Sequence, residues 1–470
     1  MNLPFSRHAD VRLPAVARLF YPGDARSLAD EVAAYLEQTE EAPLAPGFPK
    51  ALIVPHAGYV YSGPVAASAY ELLRPARGIV RRVVILGPCH RVPVRGLALP
   101  AARVFETPLG RIPLDEEAIA LIRGLPQVVE SAAAHAEEHA LEVQLPFLQK
   151  VLGEFSLVPL VVGDAAPEKV AEVLERLWGG TETLIVISSD LSHYHPYEAA
   201  LEIDHVTVRA ILGFDAGISH DQACGATPVA GMLIAAKRKG LAPKLLDCRN
   251  SGDTAGGKDQ VVGYASFALA SESPRYEAEH GRRLLQIARD SISAALGARE
   301  NSQRDPDFPS AGADELWLRE SRATFVTLMQ GEELRGCVGA LEAHRPLASD
   351  VAANARAAAF EDTRFKPLTL EEFERTDIEV SLLSSPKRLL FESHGDLIAQ
   401  LRPGADGVIL EGENGRRATF LPQVWEGLPD PEQFIAHLKQ KAGIAQGTST
   451  QSCRVRRYSV LKWREAELRQ

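Results

Sequence analysis

The sequence lacks the features that mark several classes of protein. It has no run of about 18 apolar residues, the length that a membrane-spanning helix needs, and its N-terminal stretch MNLPFSRHADVRLPAVARLFYPG has no apolar segment like that of a secretory signal. Acidic residues outnumber lysine and arginine by 62 to 51, and the basic residues form no stripe that could neutralise nucleic-acid phosphates. We therefore expect a cytoplasmic protein that binds neither nucleic acid nor membrane.

Cysteine is scarce as well. The 470 residues include five cysteines, which are Cys89, Cys224, Cys248, Cys337 and Cys453. An odd number of widely spaced thiols argues against a disulfide framework. In a reducing compartment such thiols stay free to act as metal ligands or nucleophiles.

The length and the order of apolar segments predict two domains. A chain of 470 residues exceeds what one hydrophobic core usually holds. In residues 1–272, short apolar runs alternate with amphipathic helical patterns, which is typical of an α/β fold with a largely parallel sheet between helices. The polar segment 270–283 has the composition of a linker. Residues 278–470 mix strands and helices without regular alternation, which indicates a second, α+β domain.

Apolar periodicity predicts the individual elements. In the first domain the predicted strands are ALIV (51–54), RVVILG (82–87), SLVPLVV (156–162), TLIVIS (183–188), KLLD (244–247) and VVGYASFAL (261–269). The predicted helices between them are PVAASAYELL, EEHALEVQLPFLQKVL, PEKVAEVLERLW and TPVAGMLIAAKRKG. In the second domain we predict a helix at HGRRLLQIARDSISAALG, strands at ATFVTLMQ, GCVGALE and IEVSLLSSPKRL, and a helix at SDVAANARAAAFED.

Three strands of the first domain run directly into polar residues. The strand ALIV precedes His56, RVVILG precedes His90, and TLIVIS precedes Asp190 and His193. The carboxyl ends of parallel strands meet at one edge of the sheet, where open α/β sheets hold their sites. One histidine after a strand is more often structural, but three strand ends together indicate a shared polar site. The spacing Asp190-x-x-His193 allows one turn to present either an acid/base pair or two metal ligands.

Two further segments add candidates to this site. Cys224, in CGATPVAGM, precedes a predicted helix, and the N-terminus of a helix lowers the pKa of a thiol and favours the thiolate that binds metals. A small buried hydrophobic role is the alternative for this cysteine. In EEHALEVQLPF, His139 and Glu142 are one helical turn apart. A solvated or hydrogen-bonded helix face accounts for this spacing better than a ligand pair, so we expect His139 at most to line the site.

These motifs, in this order and spacing, resemble the Memo family, whose fold is similar to that of the class III extradiol dioxygenases that use non-haem iron. The resemblance covers about residues 5–270. It rests on VPHAGYVYSG, ILGPCHR, ETPLG, EEHALEVQLPF, SSDLSHY and CGATP.

The resemblance implies a site for Fe(II), or for copper. Its ligands would be His56, His90 and Cys224, with Asp190 and His193 beside them and Tyr61 lining the same cleft. His193 would be the general base, and Asp190 would either orient His193 or bind the metal. The dioxygenases hold iron with two histidines and a carboxylate, whereas the third position here is a thiol. A thiolate shifts the preference toward softer metals such as copper, so dioxygenase activity does not follow from the resemblance alone.

The second half of the chain resembles the AMMECR domain over about residues 278–467. The block LRGCVGALEAHRPLASDVAANARAAAFEDTRFKPLTLEE, followed by DIEVSLLSSP, carries this resemblance. Proteins of the two families are named together as parts of a system, AmmeMemoRadiSam, that includes a radical S-adenosylmethionine enzyme. The chain therefore resembles a fusion of two components of that system, with the radical enzyme as a partner.

The motif LRGCVG allows two interpretations of Cys337. Two glycines around the cysteine would let the backbone approach a ligand closely, which would place Cys337 beside a substrate. A tight turn with a packed thiol is the alternative, because no base or second ligand lies nearby in the sequence.

Three functions compete at this point. The first is a metal-dependent, dioxygenase-like oxidoreductase that acts on a small organic substrate. Its second domain would cover the cleft, receive the product or dock a partner enzyme. The second is a non-catalytic module with a metal-binding cleft, since Memo-like proteins are also linked to the recognition of phosphorylated peptides. The third is metal-assisted hydrolysis, in which a bound water is the nucleophile.

Overall fold

The computed structural model describes residues 10–39, 47–271, 276–300, 315–412, 415–445 and 447–468. These residues form two compact units that divide near residue 273. Gly47 groups with the second unit, although residues from 48 onward belong to the first. Residues 272–275 of the predicted linker lie outside the described residues.

The first unit contains all six strands that the sequence predicts for it. Its strands are β1 (Val11–Arg12), β2 (Ala51–Val54), β3 (Arg82–Pro88), β4 (Leu97–Leu99), β5 (Val104–Thr107), β6 (Gly110–Pro113), β7 (Val128–Glu130), β8 (Ser156–Val162), β9 (Thr183–Ser188), β10 (His193–His195), β11 (Ala242–Asn250) and β12 (Val261–Ala270). Its helices are α1 (Ala25–Gln38), α2 (Tyr59–Tyr70), α3 (Glu116–Ile122), α4 (Ala132–Ala136), α5 (Leu145–Leu152), α6 (Pro167–Arg176), α7 (Tyr197–Leu212) and α8 (Ala226–Arg238). Strands β2, β8 and β9 begin and end at the predicted residues.

The main sheet of the first unit is parallel at its centre and mixed toward its margins, where β4 is antiparallel to β8 but parallel to β7. Nine strands of the described chain join it, in the order β10-β12-β2-β9-β3-β8-β4-β7, with β11 paired to β12. The pairs β2–β9, β9–β3 and β3–β8 are parallel. Strands β11 and β12 are antiparallel, because residues 251–260 between them are too few for a crossover helix. This arrangement confirms the predicted α/β class.

The central strands are continuously apolar because helices cover the sheet. Every residue of β2 and of β9 is buried, and helices α2 and α8 pack against β2 and β3. Such burial leaves little room for polar side chains within the sheet. The polar residues that β9 does contain, Thr183 and Ser188, lie at its two ends.

The segment 137–152 differs from the single helix that the sequence predicts. Residues 137–141 are not helical, a short 3-10 turn follows at Glu142–Gln144, and α5 begins only at Leu145. Pro146 lies in the first turn of α5, where its missing N–H breaks no hydrogen bond of the helix. The helical spacing expected between His139 and Glu142 is therefore absent, and the two side chains lie in different environments.

The second unit is built from shorter elements. Its strands are β13 (Ala323–Gln330), β14 (Glu333–Gly339), β15 (Asp377–Leu383), β16 (Lys387–Arg388), β17 (Gly407–Gly412), β18 (Arg417–Phe420), β19 (Cys453–Tyr458) and β20 (Val460–Arg464). Its helices are α9 (Ala278–Glu300), α10 (Leu347–Phe360), α11 (Leu370–Glu374), α12 (His394–Gln400), α13 (Val424–Gly427), α14 (Pro431–Lys441) and α15 (Glu465–Leu468).

The sheets of the second unit are antiparallel. One has the order β14-β13-β15-β20 and the other the order β16-β19-β17-β18. Helices α9 and α10 pack on the first of these sheets and share its apolar core. Antiparallel sheets with helices packed against them confirm the predicted α+β class. Across the described ranges, no helix is both long enough and apolar enough to cross a bilayer.

Candidate metal centre

Three adjacent strands deliver polar residues to one edge of the main sheet. Strands β2 and β3 each pair with β9, so the residues that follow these strands lie next to one another. His56 follows β2, His90 follows β3, and Asp190 follows β9. The imidazole centroids of His56 and His90 are 5.2 Å apart. The edge of the sheet therefore holds the strand-end residues in a single cluster.

Cys224 joins this cluster from the segment between α7 and α8. The ligand atoms of His56, His90 and Cys224 lie within 4.8 Å of one another. Gly225 allows the close approach, because its amide donates to Ser189 Oγ at 2.9 Å and a Cβ atom there would lie 2.7 Å from the Ser189 Cβ. A side chain at position 225 would push the cysteine away from the end of the strand.

Hydrogen bonds determine which nitrogen of His56 carries its proton. The His56 Nδ1 lies 2.8 Å from Ser188 Oγ. Ser188 donates its one hydroxyl proton to the carbonyl of Ala140 at 2.6 Å and accepts a hydrogen bond from Gln144 Nε2 at 2.9 Å. His56 must therefore donate from Nδ1, which leaves a lone pair on Nε2. Burial lowers the pKa of His56 to about 3, so the ring is neutral near pH 7.

A charged acceptor holds His90 in the same tautomer. Glu138 Oε1 lies 2.9 Å from His90 Nδ1, and Glu138 Oε2 accepts the backbone N–H of His90 at 2.7 Å. Burial opposes ionisation of Glu138, but the hydrogen bonds from His90 lower its pKa to about 2. A carboxylate only accepts hydrogen bonds, so His90 Nδ1 is protonated, and in the neutral ring the lone pair is on Nε2. The His90 side chain is 28% exposed, which leaves the cluster open to solvent on this side.

The thiol of Cys224 keeps its proton in this environment. Burial, together with the negative charge of Asp190, raises the pKa of Cys224 to about 12. The prediction that the N-terminus of α8 lowers this pKa is therefore wrong, because desolvation outweighs the helix dipole. Sγ lies 3.3 Å from His56 Nε2. Because that nitrogen is unprotonated, the thiol is the donor in this contact.

This set of donors fits a metal ion. Two imidazoles, both of which donate outward through Nδ1, converge with one thiol. Imidazole and thiolate are ligands of iron, copper and zinc. A metal ion bound here would take the place of the thiol proton, so its binding would release a proton.

Asp190 is tied to the backbone of His56. Its Oδ1 accepts the His56 N–H at 2.7 Å, and burial raises its pKa. Within the described residues no hydrogen bond joins Asp190 to His193, so the orienting contact expected between their side chains does not form. Asp190 instead orients the backbone of His56.

His193 is the first residue of β10, and the residues before it are hydrogen-bonded to β12. The Leu191 N–H donates to the Gly263 carbonyl and the Gly263 N–H donates to the Ser192 carbonyl, both at 2.8 Å. His193 Nδ1 donates to the Leu191 carbonyl at 2.9 Å, so in the neutral ring the lone pair is on Nε2. The next residue, Tyr194, has a φ of 60°, a conformation that costs a non-glycine residue energy and often accompanies a functional constraint. This arrangement presents a nitrogen that can accept a proton.

His139 lies within the cluster and Tyr61 lies at an exposed position. The His139 ring stacks on His90 with centroids 4.8 Å apart and lies 5.5 Å from the centroid of His56. Phe20 also contacts it, with centroids 4.9 Å apart. The His139 Nδ1 is buried and makes no hydrogen bond to any part of the chain that the structure describes. Tyr61 is in the first turn of α2 and is 38% exposed.

Glu142 lies outside the cluster, in a buried ion pair with Arg12. Its carboxylate also accepts the backbone N–H groups of Ala15 and Val16 at 2.7 and 3.0 Å. The acidic residue beside His90 is Glu138, which the sequence pattern did not single out. The helix predicted over 137–152 drew attention to residues one turn from His139, whereas the relevant carboxylate directly precedes it.

Cys337 belongs to the second unit, where packing explains the glycine beside it. The cysteine is on β14, its N–H donates to Asp362 Oδ2 at 2.9 Å, and its Sγ accepts from Thr327 Oγ1 at 3.4 Å. A Cβ at Gly336 would lie 2.2 Å from the carbonyl oxygen of Ala358. The missing side chain of Gly336 therefore lets helix α10 approach the strand closely and is not needed for a ligand. This favours the packed-thiol interpretation.

Comparisons with known proteins match both halves of the chain. A family model described as Memo-like protein matches residues 12–268, and one described as AMMECR1 matches residues 285–463. A MEMO1 family protein from Ignicoccus hospitalis is 38% identical over 284 residues, which cover 54% of this chain and 97% of that protein. A MEMO1 family protein from Thermotoga neapolitana is 36% identical over 283 residues, covering 55% and 100%. The crystal structure of an uncharacterized protein from Pyrococcus horikoshii is similar with 28% identity and a TM-score of 0.36, covering 40% of this chain and 92% of that one.

Proposed function

Because the chain belongs to the Memo-like protein family through residues 12–268, we propose that its first unit is a metal-dependent oxidoreductase of the dioxygenase-like type. Its substrate would be a small organic molecule. The observation that carries this proposal is the convergence of His56, His90 and Cys224, whose ligand atoms lie within 4.8 Å of one another. Both imidazoles are held as Nδ1–H tautomers, which is the form that a histidine takes when its Nε2 binds a metal.

We propose Fe(II) or copper as the ion held by these residues. When bound, either ion would supply open coordination positions for oxygen and the substrate. Imidazole suits both metals, whereas a thiolate in the third position favours the softer one. The partly exposed side chain of His90 would give a small molecule access to the cluster.

The remaining residues would act on the substrate. His193 would accept a proton from a substrate hydroxyl at Nε2, because its Nδ1 is engaged with the Leu191 carbonyl. Tyr61, which is partly exposed, would contact the substrate at the opening of the cleft. Asp190 would act indirectly, through its hydrogen bond to the His56 backbone.

The electrostatics of the cluster favour a cation over an anion. A phosphopeptide-binding module would need positive charges or N–H donors that face the ligand. Burial lowers the pKa of His56 to about 3 and that of His139 to about 4, so both rings are neutral near pH 7. Glu138 beside them is a carboxylate. A phosphate would therefore meet lone pairs and a negative charge.

We propose that the second unit serves the same reaction system as the first. Support for this comes from the AMMECR1 match at residues 285–463 of the chain that also carries the Memo-like match. Covalent fusion raises the effective concentration of one unit near the other. A radical S-adenosylmethionine enzyme is the partner we propose for the fused chain.

Metal analysis of the full chain, purified without oxygen, tests the proposed function. We expect about one iron or copper ion per chain, and oxygen consumption when a panel of catechols and other hydroxylated small molecules is added. Absence of a stoichiometric metal would contradict the enzyme and favour the binding module. If the protein hydrolyses a substrate in a metal-dependent way and consumes no oxygen, it is a hydrolase and not an oxidoreductase.

A further inference from the structure

We propose that Glu138 is a positioning residue of the metal centre, which holds His90 so that its Nε2 faces the metal, and that the N-terminal segment holds Glu138 in turn through Arg12. This inference rests on the proposed metal-dependent function.

Glu138 contacts both the ring and the backbone of the same ligand. Its Oε2 accepts the His90 N–H at 2.7 Å, and its Oε1 lies 2.9 Å from His90 Nδ1. The Ala140 N–H also donates to Oε1, at 2.9 Å, which further fixes the orientation of the carboxylate. Glu138 is 2% exposed, so water does not compete for these bonds. Two bonds to one residue define the rotamer of His90 as well as its tautomer.

The two histidine ligands differ in what keeps them in place. His56 is 2% exposed and is held by packing and by the neutral hydroxyl of Ser188. His90 has a side chain that is 28% exposed, so packing leaves it freer to rotate. The hydrogen bond to the charged Glu138 replaces the missing packing, and a charged acceptor also makes the imidazole a stronger donor to a metal.

Arg12 holds the backbone around Glu138. Its Nη2 donates to the Glu138 carbonyl at 2.6 Å, and its Nε donates to the His135 carbonyl at 3.0 Å. The guanidinium is also paired with the buried carboxylate of Glu142. One arginine from the N-terminal segment therefore contacts three residues of the segment 135–142. The position of Glu138 depends on this segment as well as on the sheet.

The alternative is that Glu138 is itself a ligand, because ligand atoms of His90, Glu138 and His139 also lie within 4.8 Å of one another. Oε1 already accepts two N–H groups, and His90 carries its proton on the nitrogen that faces Glu138. A metal ion there would have to displace both bonds. The two roles predict different numbers of bound ions. If Glu138 is a positioning residue, the chain binds one ion; if Glu138 belongs to a second ligand set, the chain binds two.

Cobalt(II) binding to the full chain under nitrogen tests the proposal, with Glu138→Gln as the variant and Glu137→Gln as its matched control. Glu137 is the exposed neighbour of Glu138. The affinity is measured by competition with a chromophoric chelator, and the thiolate-to-cobalt absorption band reports whether Cys224 still binds. We expect Glu138→Gln to bind one ion about 10- to 100-fold more weakly, with the thiolate band retained. Glu137→Gln should bind like the wild type.

The tautomer of His90 gives a second readout, which a merely structural role of Glu138 would not change. In 15N NMR of the metal-free wild type we expect protonation of His90 at Nδ1, and in Glu138→Gln a mixture of the two tautomers. Glu138→Asp, which keeps the charge on a shorter side chain, should restore part of the affinity.

Each of the other outcomes overturns the inference. Wild-type affinity in Glu138→Gln would show that His90 needs no such support, and a fall from two bound ions to one would make Glu138 a ligand. If Glu138→Gln does not fold, protonation of the wild-type His90 at Nε2 would still contradict the proposal. A wild type that binds no cobalt would overturn the proposed function together with this inference, whereas normal wild-type binding with an unaffected variant would overturn this inference alone.

Discussion

The two units of the chain each place a cysteine next to a glycine and near charged side chains, but the two thiols face different groups. Cys224 lies 3.3 Å from the unprotonated Nε2 of His56. Cys337 accepts a hydrogen bond from the hydroxyl of Thr327. The carboxylate that accepts the Cys337 N–H, Asp362, is itself paired with an arginine at 2.7 Å.

This difference shows that residue type and a neighbouring glycine do not identify a metal ligand. A ligand set needs lone pairs that point to a common centre and are not used in other bonds. In the first unit, outward hydrogen bonds through Nδ1 leave the inward nitrogens free. In the second unit, the charged groups near Cys337 neutralise one another, as in the pair of Arg335 with Glu372 at 3.0 Å.

The largest effect should come from replacing the two cysteines in turn. Cys224→Ser removes a ligand of the proposed metal site, so the loss of metal affinity should exceed the roughly 100-fold cost of losing an outer partner. Cys337→Ser should keep the affinity of the wild type. Metal content after anaerobic purification, with cobalt titration of both variants, is the measurement. An equal loss in Cys337→Ser would remove the distinction between the units.

His193→Ala should separate catalysis from metal binding within the first unit. Because a general base contributes to rate and not to coordination, we expect unchanged metal content and a turnover lower by about 10²-fold or more. His195→Ala, two residues along the same strand, serves as the matched control. Loss of the metal in His193→Ala would show that this histidine is a ligand.

Buried carboxylates in the two units should differ in what their removal costs. Glu142→Gln leaves Arg12, whose side chain is 6% exposed, as a buried unpaired charge, and this should lower the free energy of unfolding by about 3–5 kcal/mol. Asp350→Asn leaves Arg345, which is 33% exposed and can be solvated, so we expect about 1–3 kcal/mol. Hydrogen–deuterium exchange in denaturant measures each unit separately. Equal losses would contradict the argument from desolvation.

Acid should destabilise the metal-free first unit before the second. Burial lowers the pKa of His56 to about 3 and those of His135 and His139 to about 4. Between the ordinary value of 6.5 and these values the unfolded chain binds more protons, so stability falls as the pH drops through this window. In the second unit, hydrogen bonds from Arg335 lower the pKa of Glu372 to about 2. The contribution of Glu372 to folding stability is therefore lost only below about pH 4.5.

Hydrogen exchange at a series of pH values checks this order. Protection of the first unit should begin to fall below about pH 6.5, while that of the second unit should not fall until about pH 4.5. Simultaneous loss of protection in both units above pH 5 would contradict the assignment of the buried histidines.

Separating the two units should have the smallest effect. Each unit has its own apolar core, so we expect proteolysis around residues 270–280 to yield two stable fragments. The fragment 1–273 should keep the metal affinity of the full chain, because His56, His90 and Cys224 all lie within it. An unfolded N-terminal fragment would contradict the prediction of independent domains.

The sequence by itself determined the strands and the edge of the sheet at which polar residues collect. Continuous apolar runs such as 156–162 and 183–188 have few alternatives to a buried strand, and β8 and β9 form at these residues. Because parallel strands align their carboxyl ends, His56 and His90 could be assigned to one edge without coordinates. The predicted helix at 137–152 was wrong at its start, since its apolar spacing could not show that residues 137–141 leave the helix.

Only the tertiary structure decided the protonation and the support of the cluster. The proton of His56 is placed by Ser188, 132 residues away in the chain, and that of His90 by Glu138, 48 residues away. The pKa of Cys224 rises because burial outweighs the helix terminus that the sequence suggested. Periodicity is a local property that a strand or helix expresses by itself. Desolvation and hydrogen bonding depend on which distant atoms surround a group, and that information exists only once the chain has folded.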